Sequence, residues 1–371
     1  MIHFRNPDRK ILAEARDSFL RLLDNLQLGQ FVRTVESGQS PQHGIVFGLV
    51  AALAMSLAPE FDTLQLGAQL GLDIFGRKED LYREILLAML LGPVPFVFPD
   101  CNELQSALRV RGNIVRAAHR TELDFSTEGI ARPTAYWKHD EDAGFTLLPG
   151  KSLVEALRNT LLPEESGRRY AFSCYRATEY VALLGIAEEL HAHNHILYSD
   201  LETLWRQRAL MSAEFQETLL REYGSLQAPL PAKYYVPGDR VWFRNPDEPS
   251  SNATGYEGSW LFYLGNGLFN NFWKKGNEYT LRDKCIEIYH WRNGTYTDAK
   301  GELQMDEAKV EALVAETQGN PVAAERILSQ MMRLREPQGV YRSGGCIDAS
   351  REFPRRLCRE TSDIHLHEQF A

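Results

Sequence analysis

The sequence has few cysteines, no pair of them at metal-binding spacing, no excess of basic charge, and no apolar run long enough to cross a bilayer. Its five cysteines, Cys101, Cys174, Cys285, Cys346 and Cys358, are odd in number and widely scattered. The absence of any Cys-x-x-Cys removes the case for a zinc ribbon and for a disulfide framework, and a reducing cytoplasm is the default expectation. Lysine and arginine total 41 against 50 aspartate and glutamate, a net charge of −9, so nothing favours a nucleic-acid or anionic-membrane surface. The basic cluster Arg351, Arg355, Arg356 and Arg359 reads as a solvated tail. The most apolar N-terminal stretch, residues 44–59, is too short to span a membrane and ends at Pro59, so it reads as a buried helix. No basic region followed by an apolar run opens the chain, so no secretory signal is expected, although export without such a signal stays open. No Walker-type or dinucleotide glycine motif occurs, and we expect neither cofactor nor metal.

What is there suits a folded protein. The 371 residues are 44% hydrophobic and 25% charged, enough for roughly two to three domains and a core that needs no disulfides. Residues 9–28 carry Ile11, Ala15, Phe19, Leu22, Leu23 and Leu26 at helical spacing. Further helical stretches run to about Leu91, where Gly92-Pro93 and Pro95 break the pattern. We therefore divide the chain into a helical N-terminal segment (1–92), a main domain (93–345) and a loose tail (346–371). The N-terminal segment is a candidate docking element for a partner. In the main domain, residues 103–120, 152–161, 175–190, 305–316 and 321–335 read as helices. Tyr136-Trp137-Lys138 and residues 240–245, 259–264 and 285–291 read as strands.

One cysteine stands out by position. Arg169-Tyr-Ala-Phe-Ser-Cys174 leads straight into the apolar helix that starts at Tyr175. A thiol there sits at the positive end of the helix dipole, beside backbone N–H groups that lack intrahelical partners. Both favour the nucleophilic thiolate, and the same N–H groups suit an oxyanion. The competing reading is a structural cysteine buried in the core.

The surroundings of Cys174 carry a resemblance. Pro93-Val-Pro-Phe-Val-Phe98, Leu108-Arg-Val-Arg-Gly-Asn-Ile-Val-Arg-Ala-Ala118, Tyr136-Trp137 and Tyr170-Ala-Phe-Ser-Cys174 occur in that order. Pro237-Gly-Asp-Arg-Val-Trp-Phe-Arg-Asn-Pro-Asp247, Gly258-Ser-Trp-Leu-Phe-Tyr-Leu-Gly265 and Ile327-Leu-Ser-Gln-Met-Met-Arg-Leu-Arg-Glu-Pro337 follow. Together they resemble the spore-coat transglutaminases of bacilli over about two-thirds of the chain, and more distantly the NlpC/P60 superfamily of papain-like peptidases. The resemblance implies an α+β, papain-like fold: a helix-borne cysteine packed on an antiparallel sheet. It also implies acyl transfer from the carboxamide of a protein glutamine, through a Cys174 thioester, to a lysine or another amine. With water as acceptor the same machinery is a deamidase.

Two positions depart from that family. Its glutamate at the start of the strand after the nucleophile helix is Ser259 here, and its acidic residue before the cysteine is Ser173. A serine hydroxyl is no base near neutral pH. If the strand begins early, Glu257 shares a face with Ser259 and is the substitute acid/base. Asn271 is the choice for an orienting group, with Asn270 if the register slips by one. His290, on one face of the apparent strand with Ile286 and Ile288, is an alternative partner that reads better as structural. His191, His193 and His195 follow a helix directly and read as a helix end rather than a metal site. Tyr136, Trp137, Trp242 and Trp260 would wall a substrate tunnel. The competing function is a catalytically degenerate relative that binds or assembles protein.

Overall fold

The computed structural model describes residues 1–35, 44–126, 131–336 and 344–366. Helices and strands are interspersed, giving a mixed α+β architecture. At its centre the helix Cys174–His193 is apolar almost all round, and 13 of its 20 residues are buried, the pattern of a helix enclosed on every side. Ser173 caps it, accepting a hydrogen bond from the Arg176 backbone N–H at 3.3 Å. The helix packs most closely on Cys101–Arg120. Gly185 makes that approach possible, since a Cβ there would fall 2.5 Å from Ile114 Cγ1.

Beside this helix pair lies a six-stranded sheet, in the order Tyr279–Thr280, Leu268–Phe269, Gly258–Gly265, Arg240–Arg244, Arg351–Pro354 and Leu220–Tyr223. Every neighbouring pair is antiparallel. The central register sets Trp242 opposite Trp260 and Phe243 opposite Ser259. The strand order shows that the chain beyond Gly345 is not a loose tail. Arg351–Pro354 is an interior strand, while Cys346 and Ile347 are fully buried.

The N-terminal segment is likewise not helical throughout. Ile2–Arg5, Val32–Val35, Gly44–Leu49 and Phe96–Phe98 form a second, four-stranded sheet in which Ile2–Arg5 and Phe96–Phe98 run parallel. The stretch 44–59 is therefore a strand followed by a short helix, Ala51–Leu57, whose Met55 is 76% exposed. Its apolar residues serve the sheet rather than a buried helix, with Phe47 stacked edge-on against Phe4 and Phe19. Nor does the core stop at residue 92, because one apolar cluster joins Phe4, Phe19 and Phe47 to Leu104, Val181, Phe262 and Leu366. Polar ties cross the same line: the Tyr234 hydroxyl donates to the Ala88 carbonyl at 2.9 Å, and the Asn266 N–H donates to Glu84 at 2.7 Å.

A third expectation fails at residues 285–291, which lie inside the helix Leu281–Gly294. Thr280 and Asp283 form a reciprocal capping box that starts this helix. Its broad buried face, with Cys285, Ile286, Ile288 and Trp291, packs into a second apolar cluster against Tyr235, Phe243 and Phe269. Among the described residues no helix is long and apolar enough to cross a membrane.

Candidate active site

Cys174 is the first residue of its helix and opens on a cavity of about 360 Å³. Ser259 and Asn271 also line it, as do Lys284 and Glu287 from Leu281–Gly294 and Glu307 from Glu307–Gln318. None of the other four cysteines does. Its aromatic wall is Phe125, Tyr256, Trp273, Tyr279 and Trp291, with Phe125 edge-on to Trp273 at 5.2 Å. The aromatics expected there serve elsewhere. Trp137 is core and donates to Thr160 Oγ1 at 2.9 Å, Tyr136 is not part of the wall, and Trp242 stacks on Trp260 at 5.9 Å.

The sulfur is met by donors. The backbone N–H groups of Trp260 and Tyr175 favour its ionised form. Strand geometry explains the first. N–H groups two residues apart leave the same edge, and along this edge the Phe262 N–H is taken by Asn270 Oδ1 at 2.5 Å. That leaves the Trp260 N–H for the sulfur. Burial pushes the Cys174 thiol above its ordinary pKa, and the Trp260 N–H, the Lys284 ammonium, the Tyr175 N–H and Arg240 pull the other way. Desolvation pushes buried Cys101 up to about 11 against the pull of Gln105, and half-buried Cys358 up to about 12 against the pull of Ser106.

Beneath the sulfur, Arg240 is 1% exposed, with its guanidinium 3.9 Å from the Trp260 ring centre and 4.8 Å from that of Tyr175. Its Nε donates to Thr178 Oγ1 at 2.8 Å, and it pairs with Glu352 of the strand Arg351–Pro354. The two residues whose N–H groups face the sulfur are thus held by one buried cation.

The expected partners fare differently. Glu257 precedes the strand, which begins at Gly258, so the early start that would align it with Ser259 does not occur. Glu257 is exposed, forms no part of the cavity wall, and turns back toward the Gly255 N–H at 3.5 Å. Ser259 is 7% exposed at the cavity. Asn271 reaches the wall, but its side chain is committed. Its carbonyl accepts from the Trp273 and Lys274 N–H groups at 3.1 and 3.2 Å, and its amide donates to the Asn277 carbonyl at 2.9 Å. His290 bonds Thr317 at 2.7 Å and Asn293 at 3.1 Å, away from the cavity, and burial lowers its pKa. His191 stacks edge-on against Tyr198, and among the described residues no group of ligands is arranged for a metal.

Sequence reasoning missed the charged wall. Lys284 is 3% exposed, with Nζ 2.6 Å from Glu287 and 3.7 Å from the Tyr279 ring centre. The signal was the Lys-x-x-Glu spacing, which brings two side chains together only on a helix.

The family described as TGL, protein-glutamine gamma-glutamyltransferase, matches residues 69–351, well over half of the chain. The chain belongs to this transglutaminase family. The match includes Cys174 and the strand Gly258–Gly265, and it begins inside the N-terminal segment. A solved structure, the transglutaminase from Geobacillus stearothermophilus without its C-terminal extension, is similar at 20% identity, with a TM-score of 0.40. That similarity covers 58% of this chain and 98% of the other. No protein of curated function matches this transglutaminase-family chain.

Proposed function

We propose that this chain is a protein-glutamine gamma-glutamyltransferase of papain-like plan, working through a thioester on Cys174. The observation that carries the proposal is the placement of that sulfur. It stands at the first turn of a buried helix, where unpaired backbone N–H groups favour an anion, and opens on a cavity. In the proposed reaction the thiolate attacks the γ-carboxamide carbon of a protein glutamine. The helix-end N–H groups, that of Cys174 among them, hold the resulting oxyanion. Collapse breaks the C–N bond, ammonia departs with a proton, and the thioester remains. A lysine amine then adds to the thioester carbonyl, the C–S bond breaks, and an isopeptide bond and a free thiol result. Water in place of the amine yields glutamate.

The cavity's charge supports an amine as acceptor. Glu278, Asp283, Glu287, Glu307 and Glu311 line it against Lys274 and Lys284, so a cationic lysine side chain is drawn inward. In this reading Asn271 shapes the wall that orients the substrate, and Ser259 offers a hydroxyl rather than a base. Glu257, outside the cavity, is given no proton-transfer role.

The absence of carboxylates at Ser173 and Ser259 favours a second reading, a degenerate relative that binds protein without chemistry. One experiment separates the two. The full chain is incubated with a glutamine-bearing protein and a fluorescent primary amine, alone and with Cys174→Ala. Conjugates lost in the variant support the transferase. No conjugate and no deamidated glutamine with the parent chain supports the binding module, and conjugation persisting in Cys174→Ala removes the proposed nucleophile.

A further inference from the structure

The cavity holds a buried ion pair that the proposed chemistry has not yet used. Lys284 and Glu287 stand one turn apart on Leu281–Gly294, and Lys284 is 3% exposed against 23% for Glu287. Tyr279 lies beneath the Lys284 ammonium, and the nearby Glu287 carboxylate helps to raise the pKa of its hydroxyl. An ammonium in that position has lost most of its water, and the ring face and one carboxylate replace it. Such a group acts more strongly on a charge across the cavity than a fully solvated ammonium would.

Resting on the reading of Cys174 as nucleophile, we infer that Lys284 is the counter-charge of the Cys174 thiolate, a positioning residue held by Glu287 and Tyr279. It favours the thiolate and takes over no proton-accepting role at positions 173 and 259. Other charged groups share the cavity, Glu278 paired with His119 and Asp283 bonded by Thr280 and Gln318 among them. Arg240 approaches the sulfur from the sheet side. Glu307 and Glu311, from Glu307–Gln318, face the Tyr279 and Glu287 side of the cavity. Glu311 is paired with Lys274 at 2.6 Å, and Glu307 accepts from the Tyr256 hydroxyl at 2.6 Å. Lys284 is therefore the cationic side chain on the cavity wall that bears on the sulfur. Ionisation of Cys174 releases its proton to solvent, and the ammonium stays charged throughout.

The test is alkylation of the full chain by iodoacetamide as a function of pH, with each cysteine followed by peptide mass spectrometry. It uses no transferase substrate, so its outcome is independent of whether conjugation occurs. Lys284→Met should move the midpoint of Cys174 alkylation up by about one pH unit, roughly a tenfold slower reaction below the midpoint. Lys284→Arg should restore most of it. Glu287→Gln should move the midpoint down, because the ammonium then acts with less of its charge offset. A merely structural role does not give opposite shifts from the two halves of one ion pair. Buried Cys285 and Cys346 report integrity, since their labelling marks an unfolded variant. Should Lys284→Met unfold, Glu287→Gln alone decides. A midpoint unmoved or raised in Glu287→Gln, or unmoved in folded Lys284→Met, overturns the inference.

Discussion

The Arg240 guanidinium lies 3.9 Å from the centre of the Trp260 ring, and the Trp260 backbone N–H faces the Cys174 sulfur. The same arginine pairs with Glu352 and is 1% exposed. Arg240→Met would leave half-buried Glu352 with Gln216 as a partner but without its cation, and breaking a fully buried pair costs about 3–5 kcal/mol, an upper bound here. We expect a loss within that bound in denaturant unfolding, together with slower alkylation of Cys174 as Trp260 loses its support. Arg240→Lys keeps the charge but not the planar fork that serves Thr178 and Glu352 together, so it should fall between the two.

Stability should decline from mildly acidic to neutral pH. Glu84 is fully buried, and desolvation pushes its carboxyl up to about 7 against the pull of the Asn266 N–H and the Tyr263 hydroxyl. Glu179 is likewise pushed up to about 7, again chiefly by burial and against the pull of Arg176. In the unfolded chain both ionise in the ordinary carboxylate range near 4.3. Between those values the native state keeps protons that the unfolded state has lost. Their contribution is complete below the unfolded pKa and is lost as pH rises through the folded one. Each group accounts for on the order of 3 kcal/mol. Urea unfolding across pH 4 to 8 should show the decline, and Glu84→Gln should remove roughly half of it. A midpoint flat over that range would contradict these buried carboxyls.

The cysteine helix was legible because its signals are local: a cysteine leading straight into a long apolar run. The strands around Val241 and Leu261 were legible for the same reason, through aromatic and branched residues bounded by turns. The helix that supplies Lys284 was not. Ile286, Ile288 and His290 alternate as strand residues do, and burial on several faces of the helix erased the period of 3.6. The capping box between Thr280 and Asp283, just ahead of that apparent strand, was the available sign of a helix start. The interior place of Arg351–Pro354 was hidden because strand pairing across more than a hundred residues runs through backbone groups that every residue carries. Glu257 was misplaced by one residue of strand register, enough to turn it out to solvent.

Gly185 tests the packing that carries Cys174. A methyl group there would lie 2.5 Å from Ile114 Cγ1 and 3.1 Å from the Ile114 backbone nitrogen, and a backbone atom cannot swing aside. Gly185→Ala gains helix propensity, worth about 1 kcal/mol, but overpacking costs about 1–3 kcal/mol. The net effect should be a lower melting temperature. Ile114→Val should recover part of it by removing the side-chain half of the clash. A melting temperature raised in the single variant would mean that the two helices separate without cost.

The C-terminal strand gives the sharpest contrast with a loose tail. Truncation after Gly345 removes Cys346 and Ile347, which are fully buried, and the strand that stands between Arg240–Arg244 and Leu220–Tyr223. It also strips Arg240 of Glu352, and Glu103 of its bonds from the Leu357 and Cys358 N–H groups at 3.1 and 3.3 Å. A buried cation, a buried carboxylate and two open strand edges would all need water that the fold excludes. The truncated chain should therefore lose cooperative unfolding, and its otherwise buried cysteines should label with iodoacetamide in the absence of denaturant. A truncated protein that unfolds in one sharp transition, with Cys101 and Cys285 still protected, would show that the sheet closes without its fifth strand.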